Sequence, residues 1–359
     1  AMDAFGGSVT DLTSNSRYDE VDPAWSPDGS RIAYVRRNTA TGRTDLFIMS
    51  LVGGGRVRAP HRNVLTRQPA WSPDGTMLAI SSQVTRSAPF RIFVANGDGG
   101  ARTQVTSHDR GHADVDPAWS PDGTKIAFAS DRDGGLPEIY VMDADGSAER
   151  RLTFNADADT YPTGSPDGTR IAFTRCCVDG SSEIYVMNAD GSGAVDITNT
   201  PSMEESDPAW SPDGTQIAYT AYAMGGGQVD VWVMSADGSN QVQLTSEVAP
   251  DLAPTWEPVP TCTITGTNGD DMLIGTEGND VICAGGGNDV VRAGGGADLV
   301  YGGGGDDTLI GQDGNDLLFG EAGADTLLGG TGYDGLFGGG GTDGCLRGGQ
   351  GAFMRQCET

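Results

Sequence analysis

Nine aspartates recur every nine residues near the end of this 359-residue chain: Asp271, Asp280, Asp289, Asp298, Asp307, Asp316, Asp325, Asp334 and Asp343. A glycine stands two residues before each, at Gly269, Gly278, Gly287, Gly296, Gly305, Gly314, Gly323, Gly332 and Gly341. Two residues after each comes an inward candidate: Leu273, Ile282, Val291, Val300, Leu309, Leu318, Leu327, Leu336, then Cys345. A flexible glycine linker needs neither the Asp period nor the apolar one. The glycine-rich half of each unit can take the φ > 0 conformations of a tight turn. The other half suits a short strand whose alternate side chains point inward and outward. Each nonapeptide is then half a coil, and repeat n stacks on repeat n+2 in a parallel β-roll.

The unit reads G-G-x-G-x-D-x-U-x with U apolar, as in Gly302 to Ile310. It resembles the hemolysin-type (RTX) calcium-binding repeat. The resemblance implies Ca2+ held between stacked turns by the Asp carboxylates and by carbonyls of the glycine loops. Calcium takes about six to eight oxygens, which two turns can supply and one cannot. Nine repeats stacked two apart give seven pairs, so at most about seven sandwiched ions. Without metal the stacked carboxylates repel, and the roll is expected to fold only on calcium. Many such repeats leave the cell by type I secretion, and others belong to surface adhesins.

The formal net charge is −28. Residues 262–359 hold 15 acidic and 3 basic side chains and so contribute −12 of it. Such a surface repels nucleic acid and anionic membrane and attracts cations or a basic partner. No apolar run reaches the roughly 18 residues of a membrane-spanning helix. Six cysteines beside calcium repeats suit an oxidising, extracellular or cell-surface setting. Cys262 occupies the Asp position of a degenerate repeat that would stack beside the turn carrying Cys283. A Cys262–Cys283 bridge would pin the first coil, and Cys345–Cys357 the last. Adjacent Cys176 and Cys177 could form a strained vicinal disulfide, stay reduced, or simply be buried.

The first 257 residues also repeat. Ser-Pro-Asp-Gly recurs at Ser26, Ser72, Ser120, Ser165 and Ser211, and Pro-Ala-Trp precedes four copies, ending in Trp25, Trp71, Trp119 and Trp210. Gly164 replaces the Trp of the remaining copy, and Trp256 adds a sixth Trp, so the period is 45–48 residues. Each unit reads as four strands, labelled A to D. Strand A ends at the Trp, Pro-Asp-Gly turns the chain, and strands such as Lys125–Phe128 and Glu138–Met142 follow. The pattern D-P-A-W-S-P-D-G-x-x-I-A-Y…I-Y-V-M-x-A-D-G…L-T resembles the TolB-type β-propeller repeat. The expected architecture is all-β: a six-bladed propeller over 1–257, a stiff linker over 258–261, and a calcium-binding roll over 262–359. Ala1–Thr13 aligns with Val141–Thr153, so the sixth blade is expected to be incomplete and split between the two ends of the chain.

Strand A is innermost in a propeller. Five residues before the Trp positions stand Glu20, Asp114, Asp159, Glu205 and Asp251, with Thr66 instead of an acid in the second blade, whose loop is shorter. Three before stand Asp22, Asp116 and Asp207, alternating with Gln68, Tyr161 and Ala253. Both sets are expected to ring one mouth of the central channel, as a port for a cation or a basic peptide. A purely structural role, with the Asp before Pro capping backbone N–H groups, competes with that reading. Catalysis finds little support. His108 and His112 sit in a glycine-containing loop without an H-E-x-x-H pattern, His61 is alone, and no G-x-S-x-G elbow exists. The favoured function is therefore a secreted calcium-binding protein whose propeller binds an unknown protein or glycan or serves as a scaffold. The rivals are an extracellular enzyme acting on polysaccharide or peptide, and a calcium-assembled surface-layer or fibre component.

Overall fold

The computed structural model of the chain describes residues 12–13, 18–51, 56–60, 65–85, 87–107, 111–176, 181–246, 250–258, 262–346, 348, 353–355 and 357. Every regular element among them is a β-strand, and no helix is long and apolar enough to cross a membrane. Two compact units are present: Ala1–Pro27, Ala33–Ile48 and Val57–Pro258 form one, and Asp28–Ile32, Met49–Arg56 and Val259–Thr359 the other.

The first unit is a propeller with five four-stranded sheets among the described residues, each in sequence order from strand A to strand D. The third blade shows the pattern, with Asp114–Trp119, Lys125–Ser130, Glu138–Asp143 and Arg150–Arg151 paired antiparallel. Alternation along strands A to C sends apolar side chains to both faces of the sheet, because each blade is covered by its neighbours. One apolar cluster, with Ile126, Phe128, Tyr140 and Met142, packs blade three on Ala79, Ile92 and Val94 of blade two. Another, with Ile139, Leu152 and Ala129, packs it on Ile171, Phe173 and Met187 of blade four. Each fully buried side chain contributes ~1.5–3 kcal/mol, so the blades cohere through four such clusters.

The Ser-Pro-Asp-Gly phrase closes the A–B turn. Asp122 accepts from Ser120 Oγ at 2.6 Å and from the N–H and hydroxyl of Thr124 at 3.0 and 2.9 Å. The turn's glycine must be left-handed; Gly123 has φ 70°. The segment 250–258 forms no strand, yet its Trp256 indole donates to Ala209 O at 3.0 Å. Trp119 does the same to Ala70 O at 3.1 Å, one blade back. Residues 1–11, on which the expected second half of a split blade rests, lie outside the described residues.

The second unit is a parallel solenoid of two sheets, one of six strands and one of five. Registers advance by two repeats, as the stacking argument requires: Leu299 pairs with Leu317, and Thr308 with Thr326. Ile282, Val291, Val300, Leu309, Leu318, Leu327 and Leu336 form one fully buried file between the sheets. Both terminal disulfides are present, Cys262–Cys283 and Cys345–Cys357. The degenerate first repeat takes its expected place, with Ile264 opposite Ile282.

Candidate functional site

Seven of the nine period aspartates, Asp289 to Asp343, bind the coil before them. Asp307 Oδ1 accepts the Asp289 backbone N–H at 2.8 Å, and the same bond joins Asp289 to Asp271, Asp298 to Asp280, Asp316 to Asp298, Asp325 to Asp307, Asp334 to Asp316 and Asp343 to Asp325. That leaves Oδ2. In Asp289, Asp298, Asp307, Asp316, Asp325 and Asp334 this oxygen is buried without a hydrogen-bond partner. A buried anionic oxygen left so is expensive unless a cation meets it.

A carbonyl faces three of these oxygens, those of Asp307, Asp316 and Asp325. A Cβ built on Gly320 would meet Asp325 Oδ2 at 2.3 Å and the Gly338 carbonyl at 2.4 Å; at Gly311 the neighbours are Asp316 Oδ2 and Gly329 O, both at 2.3 Å. At Gly302 they are Asp307 Oδ2 at 2.5 Å and Gly320 O at 2.8 Å. Burial first, then the neighbouring carboxylates, pushes Asp307 up to about 6 and Asp316 up to about 7, and burial also raises Asp298, Asp325 and Asp334. Among the described residues no three His, Cys, Asp or Glu converge as a metal cluster. The donor set is instead carboxylate plus backbone carbonyl, all hard oxygen, which fits calcium and suits neither zinc nor copper.

The glycine two before each Asp has a stacking role. Gly287, Gly296, Gly305, Gly314, Gly323, Gly332 and Gly341 have φ between 106° and 147°. A Cβ on Gly314 would lie 1.5 Å from Gly296 O, one coil away. Gly269 and Gly278 differ: their φ is not positive, and a Thr hydroxyl accepts the N–H of each, Thr267 Oγ1 at 3.2 Å and Thr276 Oγ1 at 3.1 Å. A second ladder was not anticipated from the sequence. The side chains of Asp270, Asn279, Asn288, Asp306 and Asn315 each accept the backbone N–H 18 residues on. Its signal is the Asn or Asp that precedes the period Asp in those repeats.

In the propeller a cavity of about 420 Å³ is bordered by the residues three before each Trp position: Asp22, Gln68, Asp116, Tyr161, Asp207 and Ala253. All six have φ between 49° and 55°. A β-bulge puts them there; in blade three the register of strand A against strand B shifts between Val115 and Ala118. Holding Tyr161 or Ala253 left-handed costs ~1–3 kcal/mol, so the ring geometry is imposed by the blades whatever residue fills it. Asp22 accepts the Gln68 N–H at 3.1 Å, and Asp116 Oδ2 the Tyr161 N–H at 3.2 Å. These aspartates therefore do cap backbone, but the bulge they cap belongs to the next blade. Asp116 Oδ1 remains buried without a partner. Burial, then the charges of Asp207 and Asp22, pushes Asp116 up to about 7; burial raises Asp207 to about 6, and also raises Asp22.

The bulge also turns the acids five before the Trp positions away from this cavity; Glu20, Asp114, Asp159, Glu205 and Asp251 do not border it. Asp114 pairs with Arg132 at 2.9 Å, and Asp159 with Arg175 at 2.7 Å. Blade five breaks that pattern. Ala221 pairs with Glu205 where Arg175 pairs with Asp159, and Asp196 pairs with Tyr185 where Arg151 pairs with Tyr140. Glu205 is 2% exposed, Thr200 donates to one oxygen, and the other has no partner. Burial, then Glu183, pushes it up to about 8. A carboxyl held neutral stabilises the fold fully below its unfolded pKa, and that contribution is lost as pH rises through about 8. Glu205→Gln should therefore leave the propeller's melting temperature unchanged at pH 4 and raise it at pH 9, by roughly 2–4 °C per kcal/mol recovered. Thermal melts at the two pH values check this; an equal rise at both would contradict it.

His61 and His108 lie outside the described residues; His112 Nδ1 is 3.6 Å from Asp131. Cys176 is exposed at the end of its strand and forms no disulfide, against the expectation of burial, while Cys177 lies outside the described residues.

A family model described as the TolB beta propeller domain matches residues 1–177 and 161–264. Another, the RTX calcium-binding nonapeptide repeat (4 copies), matches 265–300, 301–336, 310–345 and 319–352. TolB from Acinetobacter baumannii is 27% identical over 69% of this chain with a TM-score of 0.58, and the match spans 59% of that protein. A putative TolB from Agrobacterium tumefaciens is 27% identical over 64% of this chain and 81% of its own length, with a TM-score of 0.56. Kuenenia stuttgartiensis hydrazine synthase shares the fold alone, at 14% identity and a TM-score of 0.55 over 66% of this chain and 40% of that one. None of the curated proteins matches the chain.

Proposed function

This chain belongs to the TolB β-propeller domain family and carries RTX calcium-binding nonapeptide repeats, and on that premise we propose that it is a secreted, calcium-binding protein that acts by binding rather than by turnover. The repeats imply calcium binding; six orphaned Oδ2 atoms support six or so ions, within the limit of seven stacked pairs. The propeller would be six-bladed. Ala253 shares the left-handed φ of the other five ring positions, and Trp256 repeats the indole bond of Trp71 and Trp119, so 250–258 supplies the innermost segment of the sixth blade. Two disulfides and calcium repeats favour a site of action outside the reducing cytoplasm.

The propeller's ligand is a cationic group, a guanidinium or ammonium from a basic segment of a partner. One observation carries this: Asp116 Oδ1, buried and unpartnered, borders a cavity that Asp22 and Asp207 also border. Titration calorimetry of the full chain in calcium with a short arginine peptide tests it. Affinity should rise between pH 5 and pH 8, as Asp207 and then Asp116 ionise. Asp22 and Tyr161 border the same cavity, and burial raises both. Asp116→Asn keeps an acceptor for the Tyr161 N–H and should weaken binding about tenfold or more. Equal affinity in the variant, or no peptide binding at pH 8, would contradict the reading.

A further inference from the structure

Two of the period aspartates are already satisfied. Asp271 Oδ2 accepts the Thr267 N–H at 2.6 Å and its hydroxyl at 2.7 Å; Asp280 Oδ2 accepts the same pair from Thr276 at 2.6 and 2.8 Å. The other repeats carry Gly285, Gly294, Gly303, Gln312, Glu321, Gly330 and Gly339 at the threonine's place, all with φ between 71° and 110°. Threonine is β-branched and resists that conformation. Thr267 and Thr276 stay out of it, and their N–H and hydroxyl turn onto the carboxylate instead. The carboxylate swings with them. From the Cβ position of Gly266 or Gly275, Oδ2 is 3.1 Å away, against 2.3–2.5 Å at Gly302, Gly311 and Gly320.

We propose that Thr267 and Thr276 take calcium's place in the first two repeats, so that the roll begins as a metal-independent seed and calcium binding starts at Asp289. The inference deepens the reading of the roll as a calcium binder. The seed lies beside the Cys262–Cys283 bridge, which holds the same end. A parallel solenoid grows by adding coils to an existing one, and the first coil has the largest ordering cost to meet. Hydrogen bonds that form without metal give calcium a template on which each later turn can close.

Hydrogen exchange of the full chain, with the disulfides intact, tests this in EDTA and in calcium. In EDTA, peptides covering 262–283 should exchange about tenfold or more slowly than peptides covering 299–340. Thr267→Gly with Thr276→Gly should erase that protection while leaving the disulfide, and Thr267→Ser with Thr276→Ser should restore it. The glycine variant should also bind more calcium by equilibrium dialysis, because two Oδ2 atoms are released. Equal exchange of the two regions in wild-type EDTA samples, or glycine variants with unchanged protection, would overturn the seed. Failure of 299–340 to gain protection in calcium would instead overturn the calcium reading, so the two can fail separately.

Discussion

In EDTA the chain should show one thermal unfolding transition, and in millimolar calcium two. The propeller has four apolar clusters of its own and no element borrowed from the carboxylate ladder, so its transition should persist. The roll has a single file of core side chains and six buried, unpartnered carboxylate oxygens. At a hundredfold excess over its Kd, each bound ion stabilises the folded state by about 2.7 kcal/mol. Six such ions would exceed the ~5–15 kcal/mol that holds a whole domain together. The metal term therefore decides whether the central coils fold. Differential scanning calorimetry reads the result directly; a propeller transition lost on chelation would contradict the independence of the two folds.

Gly320→Ala should be severe and Gly304→Ala nearly silent. Neither glycine has a positive φ, so the backbone tolerates alanine at both. They differ in what a methyl group would meet. At Gly304 nothing lies within 4 Å. At Gly320 the methyl would occupy the space between Asp325 Oδ2 and Gly338 O, where the ion belongs. The variant should raise the calcium midpoint for folding about tenfold or more, about 1.4 kcal/mol per decade. Calcium titrations followed by circular dichroism compare the pair; equal midpoints would mean the cradle is not a metal site.

Much of this was readable from the residues because it rests on period. The Asp spacing set the stacking of repeat n on n+2, the degenerate first repeat placed Cys262 against Cys283, and Ser-Pro-Asp-Gly marked every A–B turn. The ring of Asp22, Asp116 and Asp207 also followed from spacing. What spacing could not supply was the bulge. A regular strand puts residues three and five before the Trp on one face, whereas a left-handed residue at −3 separates them and sends Asp114 and Asp159 to arginines. Nor did the repeat consensus distinguish the carboxylates of Asp271 and Asp280. That difference lies in one position of the glycine loop, where Thr267 and Thr276 depart from a residue that tolerates positive φ. The loss of both arginines around Glu205 was visible only once blades four and five were paired strand by strand.

The central claim is that the orphaned Oδ2 atoms hold calcium. Anomalous scattering from crystals grown in calcium tests it at the sites themselves. Peaks should lie between Asp307 Oδ2 and Gly320 O, between Asp316 Oδ2 and Gly329 O, and between Asp325 Oδ2 and Gly338 O, with none at Asp271 or Asp280 Oδ2. Ordered coils with no peak at those three positions would contradict the account.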